Sequence, residues 1–210
     1  MKLKIGIFDS GIGGITVLHQ ALRSLPKEDY LYFADVDHVP YGTKGKEEIV
    51  GYVDDAIGFM VEKNVKAIVV ACNTATSVAI GYLRGKYGIP ILGMEPAVKP
   101  AVRKNNGKRV MVIATPVTLR EEKLKNLLTE VDERHVVDLL PLPRLVPFAE
   151  RGEFNTPEVE AYLAAEFSRY CLGDYSALVL GCTHFNYFKD TFRKLFSPDV
   201  DLIDGCSGTS

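Results

Sequence analysis

Two cysteines stand at the same place in two copies of one pattern. Ile68-Val69-Val70-Ala71-Cys72-Asn73-Thr74 is an apolar run closed by a small residue, a cysteine and two small polar side chains. Leu178-Val179-Leu180-Gly181-Cys182-Thr183-His184 repeats the pattern, with the second cysteine 110 residues after the first. The thiolate is the reactive form of cysteine, and a helix N-terminus favours it. Nucleophilic catalysis needs only one cysteine, usually with a histidine base. A pair on opposite faces of one site suits another task, which is moving a proton across a stereocentre. One thiolate removes the Cα proton of an amino acid, the thiol on the other face supplies a new one, and the centre inverts. In the reverse direction the roles exchange. The carbanion is very basic, so preorganised donors must meet the charge that develops on the substrate carboxylate. Backbone N–H groups and hydroxyls near the strand ends are the candidates.

The elements that must hold these cysteines alternate along the chain. Residues 4–8, 30–34, 67–71 and 89–92 read as strands, and helical spacing covers 15–25, 47–63 and 76–87. A helix at 97–104 follows. The second half then repeats the order, with strands at 109–114, 136–140, 177–181 and 200–203. Its helices fall at 118–130, 158–171 and 187–196, with a proline-rich loop over 141–150. Strand-helix alternation of this kind gives a parallel sheet covered on both faces, with ligands beyond the carboxyl ends of its strands. Asp9, Tyr41 and Cys72 all sit at such ends.

The halves match in detail. Ser10 corresponds to Thr115, Val39-Pro40-Tyr41 to Val146-Pro147-Phe148, and Glu48 and Tyr52 to Glu158 and Tyr162. The expectation is an α/β protein of two similar flavodoxin-like domains, residues 1–97 and 98–206. A pseudo-two-fold axis would place the two cysteines across one cleft. Residues 207–210 would start a C-terminal return to the first domain, truncated in this chain, because the helix after the last strand has no sequence here.

Bulk properties exclude several classes. The chain has 210 residues, 47% hydrophobic and 25% charged, with net charge -2. That charge offers no footprint for nucleic acid. No apolar run reaches the length needed to span a bilayer, and the N-terminus lacks the h-region of a signal peptide. The expected compartment is the cytoplasm. The four cysteines and four histidines show no metal-ligand spacing, so no metal is expected, and disulfides are not expected in a reducing compartment.

Four segments together resemble the signatures of the glutamate racemase family, within the cofactor-independent aspartate/glutamate racemases. They are Phe8-Asp9-Ser10-Gly11-Ile12-Gly13-Gly14, Val39-Pro40-Tyr41-Gly42-Thr43, Ala71-Cys72-Asn73-Thr74-Ala75 and Leu180-Gly181-Cys182-Thr183-His184. Their order and spacing fit, and the resemblance covers almost the whole chain. It implies interconversion of L-glutamate and D-glutamate for peptidoglycan, with no cofactor. It implies Cys72 and Cys182 as the acid/base thiols, Cys72 acting on D-glutamate and Cys182 on L-glutamate. Asp9 would assist Cys72; His184 and Glu150 would assist Cys182. Ser10, Tyr41, Gly42, Asn73, Thr74 and Thr183 would bind substrate, with Thr115 and Thr118. A homodimer is compatible with the resemblance. The chain departs from the family pattern after His184, where Tyr-Pro is usual and Phe185-Asn186-Tyr187 stands here, and at Leu142, where a cysteine is frequent.

Other readings of the same residues are weaker. Phe8-Asp9 suits a phosphatase nucleophile, but position 11 is Gly11 and not a second aspartate. The Gly11-Ile12-Gly13-Gly14 turn lacks the Lys-Ser/Thr of a nucleotide loop and instead lets backbone approach a carboxylate. Cys171, placed in a helix, and Cys206 read as incidental, and His19, His38 and His135 as surface residues. A relative acting on aspartate or another small carboxylate, or a non-catalytic amino-acid-binding protein, would carry many of the same features.

Overall fold

The computed structural model describes residues 3–206. The expected C-terminal return at 207–210 lies outside the described residues. Short runs of β-branched and aliphatic residues form the strands, because side chains on both faces of a parallel sheet are buried. The first sheet contains β1 (Lys4–Asp9), β2 (Tyr30–Ala34), β3 (Val65–Val70) and β4 (Ile91–Gly93), all parallel, in the order β2-β1-β3-β4. The second contains β5 (Arg109–Ala114), β6 (Val137–Pro141), β7 (Tyr175–Gly181) and β8 (Asp201–Asp204), again parallel, in the order β6-β5-β7-β8. The repeat extends to an irregularity. The register between the two central strands shifts at Lys4/Ile5 in one sheet and at Arg109/Val110 in the other.

Helices cover both faces of each sheet. On the first, α2 (Lys46–Glu62) and α3 (Asn73–Lys86) bury Ile49, Val53, Ile57, Met60, Ala79 and Leu83 against Phe8, Ile68 and Val70. α1 (Ile15–Ser24) places Val17 and Ala21 on the opposite face, against Ile7 and Ala71. On the second sheet, α4 (Val98–Arg103) and α6 (Glu122–Val131) pack Val98, Ala101 and Leu124 on Val110, Val112 and Val179. The other face is the larger core. It joins α7 (Leu145–Glu150), α8 (Pro157–Phe167) and α9 (Lys189–Leu195) through Phe148, Leu163, Phe167 and Phe192. At the entry end of this sheet, Arg109 pairs with Asp138 through two hydrogen bonds of 2.5 and 2.6 Å, and the Tyr175 hydroxyl donates to the same carboxylate at 2.6 Å.

Several local expectations are corrected. Residues 145–150 are helical, not loop: Pro147 falls in the first turn of α7, where its missing N–H has no intrahelical partner to lose. The helix expected at 118–130 is two helices, α5 (Pro116–Arg120) and α6, broken at Glu121 in extended conformation. The break lets Val117 pack on the first domain's core while Leu124 packs on the second sheet. α8 stops at Phe167, so Cys171 is not helical; it is an exposed residue before a short 3-10 turn. The helix after Cys182 starts as a 3-10 segment, Thr183–Phe188, before α9.

The second core makes a direct demand on stability. Phe192 is fully buried and meets Phe167 edge-on, with ring centroids 6.3 Å apart. Phe192→Ala should cost about 3–5 kcal/mol in denaturant unfolding, and a loss below about 1 kcal/mol would contradict this packing.

Candidate active site

The strand order places the site. In each sheet the chain leaves the two central strands, β1 and β3 or β5 and β7, in opposite directions, which opens a crevice beyond their carboxyl ends. Asp9 ends β1, and Cys72 follows β3 by two residues. Thr115 follows β5 and Cys182 follows β7. The two crevices face each other, and the candidate residues meet at the seam.

Cys72 caps α3. Its sulfur accepts the Ala75 N–H at 3.4 Å, and the thiol donates to the Ser10 hydroxyl at 3.5 Å. The helix terminus was expected to favour the thiolate. Burial outweighs it: desolvation, then the nearby Asp9 charge, pushes the Cys72 thiol up to about 12, with Cys182 adding to the rise. Cys182 lies across the seam, 7% exposed, in a different setting. Its sulfur is 3.9 Å from Nδ1 of His184, whose Nε2 is 2.5 Å from Oε1 of Glu150. Burial works against a charged His184, but its contacts with Cys182 and Glu150 prevail and raise it to about 10. Glu150 is likewise opposed by burial and held low by His184 and by the Ile12 N–H, which donates at 2.9 Å. An imidazolium beside the Cys182 sulfur stabilises negative charge there. No such cation is found beside Cys72 among the described residues.

Asp9 links the two sides. It is completely buried; Oδ1 accepts the Gly11 N–H at 3.0 Å, and Oδ2 accepts the Thr183 hydroxyl at 3.0 Å across the seam. Burial raises its pKa, while the His184 charge and these hydrogen bonds work to lower it. Asp9 therefore reaches Cys72 through its charge and reaches the Cys182 side through a direct bond.

The remaining candidates form a second cluster. The hydroxyls of Thr74, Thr115 and Thr118 close a triangle with sides of 2.9, 3.0 and 3.2 Å, bridging α3 to the start of α5. Gly42 lies against it: a Cβ there would sit 2.5 Å from Cβ of Thr115. Gly13 is pressed in the same way, since a Cβ would fall 2.4 Å from the Thr183 hydroxyl. Asn73 is buried, and its Oδ1 has no partner among the described residues. Tyr41 is buried, but its hydroxyl turns away to donate to Asp35 at 2.5 Å, and His38 approaches the same carboxylate at 2.7 Å. Three contributors were missed from sequence. They are the Ile12 peptide, Tyr32, whose hydroxyl donates to the Gly11 carbonyl at 2.6 Å, and Tyr187, whose hydroxyl donates to the Ile12 carbonyl at 2.8 Å.

All four cysteines are free. Among the described residues no cluster of three His, Cys, Asp or Glu side chains is arranged to hold a metal, and no helix is long and apolar enough to cross a membrane.

The His184 pKa has a consequence for stability. Its folded value, about 10, lies above the ordinary 6.5. The stabilisation it contributes is then fully present below about pH 6.5 and is lost as pH rises through about 10. Thermal melts between pH 7 and 10 should fall with pH, and His184→Asn should flatten that fall; equal slopes in both proteins would contradict the assignment.

Comparison with known proteins places these features in a family. The model of the Asp/Glu/Hydantoin racemase family matches residues 10–208. A glutamate racemase from Lachnospira eligens is 59% identical over 99% of this chain and 79% of its own length. The crystal structure of Escherichia coli glutamate racemase in complex with L-glutamate and the activator UDP-MurNAc-ala superposes with a TM-score of 0.90 at 28% identity, covering 99% of this chain and 79% of that one. The Francisella tularensis glutamate racemase, solved with D-glutamate, gives 0.83 at 32% identity over 98% and 76%.

Proposed function

This chain belongs to the Asp/Glu/hydantoin racemase family, and from that premise and the geometry of the seam we propose that it interconverts L- and D-glutamate without a cofactor. The observation that carries the reading is the pair of buried, free cysteines at corresponding strand ends of two like sheets, close enough for a charge on Cys182 to bear on Cys72. One thiolate takes the Cα proton as the C–H electron pair moves toward the carboxylate. The opposite thiol returns a proton to the other face, leaving a thiol and a thiolate with exchanged roles.

The two sides are read as unequal. Cys182, flanked by the His184 imidazolium, suits removal of the proton from L-glutamate. Cys72, kept protonated by burial and by Asp9, suits delivery of the proton that makes D-glutamate. Ser10 hydrogen bonds the Cys72 thiol. The unpartnered Oδ1 of Asn73 is an acceptor for a substrate ammonium. The hydroxyls of Thr74, Thr115 and Thr118, with the backbone at Gly42, are donors for the carboxylates, where charge develops in the transition state, while Thr183, whose hydroxyl proton goes to Asp9, offers the substrate an acceptor oxygen. The related structures holding L- and D-glutamate support the choice of substrate. D-Glutamate would feed peptidoglycan assembly, and free thiols suit the cytoplasm where its precursors are made.

The test is polarimetry without added cofactor. L-Glutamate should lose optical rotation, and L-aspartate should not; loss with aspartate alone would reassign the substrate. No change with either would overturn the enzyme reading. Cys72→Ala and Cys182→Ala should each lower turnover at least about a hundredfold, while Cys171→Ala, at an exposed site, should leave it unchanged. Retained turnover in either of the first two would refute a two-thiol scheme.

A further inference from the structure

Tyr187 takes no part in the proton transfer proposed above. It belongs to the 3-10 segment Thr183–Phe188, directly after the Cys182 turn. Its ring stacks on Phe154, with centroids 5.1 Å apart, which fixes the direction of the hydroxyl. That hydroxyl crosses the seam to donate to the Ile12 carbonyl at 2.8 Å. The N–H of the same residue donates to Oε1 of Glu150 at 2.9 Å, and that oxygen also receives Nε2 of His184. The second domain thus grips residue 12 of the first through both its N–H and its C=O. The two groups belong to successive peptide units, so the Tyr187 bond acts on the Ile12 N–H by holding the residue in place.

We propose that Tyr187 is a positioning residue, clamping the Ile12 backbone across the seam so that Glu150 stays fixed on His184 and His184 on Cys182. The inference deepens the racemase reading and rests on it for its kinetic consequence, but its geometry stands apart from any activity. Tyr187 is half-buried, and burial, then the charges of Asp9 and Glu150, raises its pKa, so it remains a donor through neutral pH. Phenylalanine at this position would keep the stack on Phe154 and lose only the hydroxyl.

The groups whose charges bear on His184 are Cys182 and Asp9, with Glu150 as its direct carboxylate partner. Loosening Glu150 removes one of the two contacts that hold the imidazolium, so His184 should titrate at lower pH. In Tyr187→Phe the His184 imidazole, followed by NMR, should titrate below its wild-type value, and the alkaline limb of kcat/KM should move with it. kcat/KM itself should fall roughly three- to tenfold, the effect of one lost hydrogen bond. In a Glu150→Gln background the Tyr187→Phe effect should shrink toward onefold, because the clamp then has no carboxylate to hold. Tyr175→Phe, which removes a hydroxyl at the far end of the same sheet, should lower thermal stability without moving the His184 titration. An unmoved His184 titration in Tyr187→Phe would overturn the proposal, as would full additivity with Glu150→Gln. If the wild type fails to racemise, the racemase reading falls and the NMR titration still decides the clamp.

Discussion

A carboxylate with no access to water sits at the seam between the two sheets, and the site depends on how it is satisfied. Burying an isolated charge costs several kcal/mol or more unless hydrogen bonds and an opposite charge offset it. Asp9 has both. The Gly11 N–H comes from its own loop, the Thr183 hydroxyl from the other sheet, and the His184 cation acts from beyond. Opening the seam would remove the last two together. The same closure draws Glu150 onto the Ile12 N–H and completes the arm behind Cys182. The contacts that join the two sheets and those that build the site are therefore the same contacts.

The two halves are alike in topology and unlike in electrostatics. Strand order, crossover and register shift repeat almost without change. The side chains after each cysteine do not. Cys72 is followed by Asn73 and Thr74, which are neutral, and Cys182 by Thr183 and His184, which brings a cation. The His184 cation stands on one side only, so the two thiols face the cleft in unequal settings. Such inequality is useful for a two-base reaction, which needs one acid and one base in place before substrate arrives.

Much of this was legible from residue order. Apolar runs ending in cysteine marked β3 and β7, and the matched positions Ser10 and Thr115 do follow equivalent central strands. The racemase resemblance pointed to Asp9, Thr183, His184 and Glu150, which meet at the seam, and not to Tyr32 or Tyr187. What escaped was of two kinds. Local errors came from proline and from helix ends: Pro147 suggested a loop where it occupies a first helical turn, and Cys171 lies beyond the last residue of α8. The deeper omissions are contacts that exist only after the halves meet. Thr183 to Asp9 spans 174 positions and Tyr187 to Ile12 spans 175. No periodicity encodes such pairs. The turn of the Tyr41 hydroxyl toward Asp35 was hidden for a similar reason, because the sequence carries no orientation for a side chain on a loop.

The central claim is that the proton leaving Cα and the proton returning to it use different sulfurs. Its most direct test is the isotope pattern at early times, with unlabelled L-glutamate in D₂O. Two thiols predict that newly formed D-glutamate carries deuterium at Cα, because its proton comes from the solvent-exchanged thiol on the far face. The L-glutamate that remains should stay unlabelled. D-Glutamate that retains the original hydrogen would mean a single base carrying one proton from face to face, and it would contradict the account.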